Sequence, residues 1–287
     1  MNDLRQMLAA ARARLDGDAA ALEAELLLAA VLQQSRSWLY AHADVRPTPA
    51  QAARFEALVA RRAAGEPVAY LLGRRAFWTF ELEVGPACLI PRPETELLLE
   101  QALRCLPADS ALPVADLGTG SGALALALAM ERPLARITAS DRSAEALALA
   151  ARNARRLGLG ERVRFVQGDW CAALAGARQA LIVANPPYLA ADDPHLEQGD
   201  LRHEPRAALV AGADGLEALR AIVACAPAHL LPQGWLLLEH GAGQGLAVRA
   251  LLAAQGFAQV RSVRDLQAHE RVSYGRWHAD EGALQAG

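Results

Sequence analysis

The segment Asn185-Pro186-Pro187-Tyr188 combines residue types that suit one task, the holding of a planar NH2 group. Its two prolines force extended geometry on Asn185 and Pro186 and remove backbone N–H donors, which leaves the carbonyls free to accept. The side-chain oxygen of Asn185 and the backbone oxygen of Pro186 would take the two hydrogens, with the ring of Tyr188 packed on the face of the group. An amide nitrogen is a weak nucleophile, because its lone pair belongs to the resonance that gives a peptide bond a rotation barrier of roughly 18–20 kcal/mol. Two acceptors hold electron density on that nitrogen and strengthen as positive charge develops there. Alignment with an electrophile would supply up to about 7–11 kcal/mol through proximity. No general base is needed before transfer, since the product sheds its extra proton afterwards. In isolation the same four residues would be a proline-rich turn, and it is their place at the end of a strand that favours chemistry.

A second constellation lies upstream. Asp116-Leu117-Gly118-Thr119-Gly120-Ser121-Gly122 follows an apolar run and opens a helical one, with three glycines where backbone must turn tightly and approach a ligand closely. Asp141 ends the next strand-like run, 19 residues beyond Gly122, where a carboxylate can accept both hydroxyls of a ribose. Gly168-Asp169-Trp170 ends the one after it. There the indole either covers an adenine face, with Asp169 taking its amino group, or is a core aromatic. Gly118, Gly120 and Ala123 satisfy the lenient dinucleotide spacing, so a nicotinamide enzyme is a rival reading, and a bare strand-to-helix turn is a third.

These residues need a scaffold, and the hydrophobic pattern supplies one. From Pro113 onward, apolar runs at 114–117, 137–140, 163–167, 181–184 and 235–239 alternate with alanine- and leucine-rich helical stretches, the signature of an α/β doubly wound parallel sheet. Ligands in such sheets sit at the carboxyl ends of the strands, where all of these motifs fall. The first 75 residues predict a small helical bundle, with Asp18 as one N-cap and a capping box at Thr48-Pro49-Ala50-Gln51. Trp78, Phe80, Leu82 and Val84 alternate with polar residues, which predicts a β-hairpin linker over 76–87. The catalytic part then covers 88–278, and a tail at 279–287 with little to pack is expected to be disordered.

Composition narrows the chemistry further. The 287-residue chain has no lysine, so all 29 basic residues are arginine, which excludes Schiff-base amines and a P-loop lysine. Residues 1–75 carry 10 arginines and 8 acids, and the rest 19 and 24, so neither part is a platform for nucleic acid. The four cysteines, at 88, 105, 171 and 225, suit neither a zinc site nor a dense disulfide framework, and no metal site is expected. The longest apolar run, Ala123 to Met130, is less than half a bilayer span, so no membrane association is expected and the cytoplasm is the simplest location. The seven histidines, Cys171 and the pair Glu239-His240 read as packing or solvated residues.

Taken together, the chain resembles the bacterial release factor glutamine methyltransferases. The Asp116 to Gly122 run resembles the first motif of class I S-adenosylmethionine-dependent methyltransferases. The likeness runs from about Tyr70 to Trp277, through Tyr70-Leu71-Leu72-Gly73, Phe77-Trp78, Leu89-Ile90-Pro91-Arg92-Pro93-Glu94-Thr95-Glu96, Asp141, Trp170, Asn185 to Tyr188, His203-Glu204-Pro205 and Glu270-Arg271-Val272. The resemblance implies a class I methyltransferase-type sheet and S-adenosyl-L-methionine held by Gly118, Thr119, Gly120, Ser121, Gly122, Asp141, Trp170 and Asn185. It implies a glutamine substrate held by Asn185, Pro186, Pro187 and Tyr188, with Asn185, Pro186 and Tyr188 as the catalytic set. The implied activity is methylation of the N5 amide nitrogen of the glutamine in the Gly-Gly-Gln loop of peptide-chain release factors, with the helical domain recognising the protein. Asn-Pro-Pro-Tyr also resembles the motif of enzymes acting on exocyclic base amines, and a ribosomal-protein glutamine is a further alternative. The Pro-Arg-Pro-Glu-Thr-Glu run and the acidic balance favour the release factor over both. A binding module without catalysis is disfavoured because nothing in the pocket has been lost. One departure is Gln267-Ala268, where a glycine is usual, and it touches only a turn.

Overall fold

The computed structural model describes residues 2–278, so the tail at 279–287 lies outside the described residues. Backbone contacts divide the chain into two units, Met1–Arg74 with Gln198–His203, and Arg75–Glu197 with Glu204–Gly287.

The smaller unit is helical, with α1 (Leu4–Arg12), α2 (Ala20–Leu32), α3 (Arg36–Ala41), α4 (Pro49–Ala63) and α5 (Val68–Leu72). At α4 the Thr48 hydroxyl accepts from the Gln51 backbone, and the Gln51 side chain accepts from the Thr48 backbone, the reciprocal box that the sequence predicts. Asp3 and Gln6 form a second box at α1. Asp18 caps nothing: α2 starts behind Ala19 without a side-chain cap. Leu4, Leu27, Leu28, Leu39, Phe55 and Val59 fill the core of this unit. Arg62 forks onto both Glu23 oxygens at 2.8 Å and reaches Asp200 at 2.9 Å, tying the distant 198–203 segment to α4.

A hairpin, β1 (Arg74–Phe77) and β2 (Phe80–Glu83), leads into the larger unit. It differs from the expected 76–87 hairpin in its bounds, since the strands run from 74 to 83, and in its turn, which is made by Trp78 and Thr79 rather than strand positions. Trp78 sits at φ 54. Its backbone N–H donates to Glu96 at 2.9 Å and its indole N–H to Glu131 at 2.7 Å. The ring fits the alternating pattern by count alone, because sideways hydrogen bonds rather than a pleat hold it.

The larger unit continues with α6 (Glu94–Cys105), β3 (Pro113–Leu117), α7 (Ala123–Glu131), β4 (Arg136–Asp141), α8 (Ala144–Arg156), β5 (Val163–Gln167), β6 (Gln179–Ala184), α9 (Glu217–Cys225), β7 (Leu230–Glu239), α10 (Gly245–Ala254), β8 (Phe257–Arg264) and β9 (Glu270–Trp277). Seven strands form one sheet in the order β5-β4-β3-β6-β7-β9-β8. The five strands predicted from apolar runs are β3 to β7, all parallel, while β9 and β8 close the edge antiparallel. β8 escaped the sequence reading because a bulge between Ala258 and Arg261, with Gln259 at φ 54, shifts its alternation mid-strand, and a second irregularity near Arg271 interrupts β9. The chain leaves the central strand β3 toward β4 and β5, then returns to lay β6 and β7 on its other side. That reversal makes the carboxyl ends of β3 and β6 the topological switch point.

Two further observations correct or extend the sequence reading. Cys171 and Cys225, 54 residues apart, form a disulfide, whereas their spacing gave no hint of pairing. The winding of the chain through β6 and α9 brings them together. Ala268, in the turn between β8 and β9, holds φ 65, a left-handed conformation that costs an L-residue about 1–2 kcal/mol. This is the turn where the resemblance leads one to expect glycine. Ala268→Gly is therefore expected to stabilise the protein by about 0.5–1 kcal/mol, after the greater freedom glycine adds to the unfolded chain. A urea midpoint that rises at unchanged slope is the expected result, and a lower midpoint contradicts it.

Candidate active site

Every strand that ends at the switch point delivers one of the motifs. Leu117 pairs with Ala184 and with Ser140, so Gly118, Asn185 and Asp141 emerge side by side from β3, β6 and β4. The glycine loop is pinned to β4 by Gly118 and Thr119, whose N–H groups donate to the Ser140 carbonyl at 2.9 and 2.8 Å. Gly118, Gly120 and Gly122 all have positive φ, at 74, 56 and 89 degrees. At Gly118 a Cβ would lie 3.2 Å from the Trp170 ring, and at Gly122 it would lie 3.1 Å from Leu126 and 3.2 Å from Ala150. The first glycine thus lets the indole lie against the loop, and the last lets α7 pack on α8.

A cavity of about 230 Å³ opens along this edge. Its lining includes Gly118, Thr119, Gly120, Ser121, Asp141, Trp170, Asn185 and Pro187, joined by Asp116, Thr95, Cys88 and Asp169. Gly122, Pro186 and Tyr188 are not among the lining residues. Gly122 serves the packing of α7, Pro186 is buried, and Tyr188 is half-buried against the apolar cluster under α9 and α10. Trp170 lines the cavity and also packs on that cluster. It does so at φ 42, a strained conformation for a non-glycine residue.

The acidic groups are differently placed. Asp141 accepts from Gly120 N–H with Oδ2 and from Ser143 N–H with Oδ1, each at 2.9 Å. Each oxygen retains a lone pair for a further donor. Asp116 is fully buried. Its Oδ2 accepts from the Thr119 hydroxyl at 2.6 Å and the Ala125 N–H at 3.2 Å, while its Oδ1 has no partner. Burial pushes its carboxyl up to about 7 against those hydrogen bonds. Cys88 lines the wall with a thiol that burial raises to about 12, far from thiolate chemistry.

Asn185 carries the most informative geometry. Its Nδ2 donates to Thr95 Oγ1 at 3.0 Å, and its Oδ1 is buried with no partner. One hydrogen of the amide is thereby committed to Thr95, and the acceptor end has no partner among the described residues. Thr95 belongs to the Pro-Arg-Pro-Glu-Thr-Glu run, and the wall before it is strapped by Glu204, which accepts from Ile90 N–H at 2.9 Å and from Arg92.

Three buried polar residues near the site carried no sequence signal that set them apart. Thr95 lies in the Pro-Arg-Pro-Glu-Thr-Glu run at the start of α6, where a threonine is unremarkable. Asn153 lies on the buried face of α8 among Ala146, Leu149, Ala150 and Ala154, a polar interruption of an apolar stripe. Its Nδ2 donates to Ser121 O at 2.9 Å and Glu83 O at 3.0 Å, and its Oδ1 accepts from Glu83 N–H at 2.7 Å, joining β2 to the glycine loop. Glu239, expected to be solvated or packing, is 1% exposed at the end of β7. Its neighbour His240 fits the structural reading, bonded through Nδ1 to Gly241 O at 2.9 Å and through Nε2 to Ser273 Oγ at 2.8 Å.

Comparison with known proteins converges on the same chemistry. Residues 6–73 match the family model of the PrmC N-terminal domain and residues 94–200 that of the methyltransferase small domain. The chain is 56% identical over 263 residues to the release factor glutamine methyltransferase of Pseudomonas aeruginosa, covering 91% of this chain and 94% of that one. It is 54% identical over 270 residues to the enzyme of the same name from Xylella fastidiosa, covering 94% and 96%. A methyltransferase from Pyrococcus furiosus shares the fold, with a TM-score of 0.54 at 17% identity over 77% of this chain and 98% of that one. So does the hMettl16 catalytic domain, with a TM-score of 0.57 at 17% identity over 78% and 82%. More than half of the aligned residues are identical to those of full-length relatives, and the chain belongs to the release factor glutamine methyltransferase family.

Proposed function

We propose that this protein transfers the methyl group of S-adenosylmethionine to the N5 amide nitrogen of the glutamine in the Gly-Gly-Gln loop of peptide-chain release factors. The observation that carries the reading is Asn185, whose Oδ1 is buried and unpartnered beside a cavity framed by the glycine loop. The residues present fit the donor. Gly118 and Gly120 leave room where side chains would intrude, Trp170 offers a flat face, Asp141 has lone pairs for ribose hydroxyls, and Asp116 Oδ1 is an orphan suited to an ammonium. When bound, S-adenosylmethionine supplies a methyl group on a positively charged sulfur.

The chain's own residues do the rest. Asn185 Oδ1 and the Pro186 carbonyl accept the two amide hydrogens of the glutamine, which orients its nitrogen lone pair and keeps density on it. As the new N–C bond forms and the S–C bond breaks, positive charge moves from sulfur to nitrogen, and both acceptors strengthen. The extra proton then leaves to solvent. The chemistry requires no acid or base at the nitrogen, and among the described residues no histidine lines the cavity. We assign recognition of the release factor to the helical unit. The protein would work in the cytoplasm, and among the described residues no helix is long and apolar enough to cross a membrane.

The test is a transfer assay with labelled S-adenosylmethionine in which purified release factor, ribosomal protein and DNA compete in one reaction. Label is expected in the release factor. Label in ribosomal protein or in DNA would replace this substrate with one of the alternatives.

A further inference from the structure

Glu239 is a buried carboxyl that the steps above do not use. Leu238 pairs with Ala184, so Glu239 and Asn185 leave neighbouring strands at the same level. Thr95 stands between the two chemistries, lining the cavity and accepting from Asn185 Nδ2 at 3.0 Å. A hydroxyl that accepts from the asparagine still has its own proton to place, and the Thr95 and Asn185 side chains both lie close enough to the Glu239 carboxyl to favour its ionised form. Glu239 Oε2 is itself buried without a partner, so the carboxyl has acceptor capacity to spare. Glu94 on α6, Arg271 on β9 and Tyr188 complete the charged and titratable surroundings.

We propose that Glu239 is a positioning residue for methyl transfer, which acts through Thr95 to hold the Asn185 amide with its NH2 turned inward and its oxygen turned to the substrate. An asparagine amide is nearly symmetric in shape, so only its hydrogen-bond partners decide which end faces the cavity. In this arrangement Thr95 accepts from Asn185 and gives its own proton to Glu239, whose Oε2 has no other partner. The NH2 end therefore points at Thr95, and Oδ1 is left for the substrate. The same chain polarises the amide outward. As positive charge develops on the target nitrogen, a negative or strongly accepting group two hydrogen bonds away stabilises the accepting oxygen that faces it. Burial raises the carboxyl to about 7, so near neutral pH it retains a substantial ionised fraction.

Glu239→Gln keeps size and shape but adds an NH2 that can donate toward Thr95 or Asn185, which removes the reason for the asparagine to keep its orientation. Thr95→Val keeps the branching of threonine and deletes the hydroxyl, while Thr95→Ser restores it. This inference rests on the proposed role of Asn185 as the acceptor, and the controls separate the two. Single-turnover transfer to a release factor, the KM for that factor and the dissociation constant of the demethylated cofactor by calorimetry are measured for the full chain. Glu239→Gln and Thr95→Val are each expected to lower the transfer rate tenfold or more, with both binding constants within about twofold of the parent. Thr95→Ser is expected to recover the rate to within about threefold. The double variant Glu239→Gln/Thr95→Val is expected to be no slower than the slower single variant, because both break one chain. Parental rates in Glu239→Gln and Thr95→Val, alongside a slow Asn185→Ala control, would overturn the inference alone. So would losses confined to KM, or losses that multiply in the double variant. A parent protein that transfers no methyl to the factor would overturn the underlying function instead.

Discussion

Replacing Asn185 with alanine is expected to lower the single-turnover rate of methyl transfer by roughly 10²–10³, equivalent to about 2.7–4 kcal/mol, the loss typical of one preorganised hydrogen-bonding group at a site of developing charge. The effect belongs to the rate, because Oδ1 meets the target hydrogen most strongly when the nitrogen becomes positive. Asn185→Asp discriminates between acceptor and donor roles. It retains an oxygen toward the substrate but loses the donation to Thr95, and it brings a second carboxyl toward the buried Glu239. Like carboxyls in one site share a proton, so the pair carries no more charge than Glu239 alone when ionised. Aspartate is therefore expected to transfer faster than alanine. If Asn185 worked by donating its N–H to the substrate, aspartate would be as slow as alanine or slower, and parental rates in both would remove the residue from the mechanism.

Loss of the Asp141 carboxylate is expected to weaken cofactor binding by about 3 kcal/mol or more, a factor of roughly 10² or above, since hydrogen bonds to a charged group contribute roughly 1.5–3 kcal/mol each. Alanine removes the acceptor for two ribose hydroxyls and also abandons the N–H groups of Gly120 and Ser143 that Asp141 now holds at 2.9 Å. Asn185 and the apolar walls remain, so the folded protein should persist. The amide variant Asp141→Asn is not a mild change either. The NH2 end of the new side chain would face one of those two backbone donors, so Asp141→Asn is expected to bind nearly as weakly as Asp141→Ala. Calorimetry with the demethylated cofactor reads this directly. Affinity within about threefold of the parent in either variant would remove Asp141 from the ribose site.

The parts of this protein that were legible in its sequence are those where local pattern and tertiary structure agree. The buried parallel strands announce themselves as apolar runs, because both faces are covered by helices and alternation is suppressed. The glycine loop, Asp141 and Asn185 were legible because each ends such a run, and strand ends on one edge of a wound sheet must converge. Trp78 misled because alternation counts positions and cannot see a two-residue turn. β8 and β9 stayed hidden because a bulge at Gln259 and a second near Arg271 break the period on which strand reading depends. Thr95 and Asn153 meet partners distant in the chain, 32 residues for Asn153 to Ser121 and 90 for Asn185 to Thr95, and one sequence holds no record of such pairings. The disulfide between Cys171 and Cys225 is of the same kind, fixed by topology rather than spacing. Ala268 shows the reverse case, where a residue type unsuited to a turn marked a real left-handed position in advance.

Transfer to a side-chain amide held by Asn185 and Pro186 leaves its methyl group on the glutamine nitrogen and nowhere else. Tandem mass spectrometry of a release factor incubated with the enzyme and deuteromethyl-labelled S-adenosylmethionine tests it most directly. One labelled methyl group is expected on the glutamine of the Gly-Gly-Gln loop, with fragment ions placing it on the side-chain nitrogen, and none when Asn185→Ala is used for the same time. A label on any other residue of the factor, or on that glutamine at an undiminished rate with Asn185→Ala, would contradict this role of Asn185.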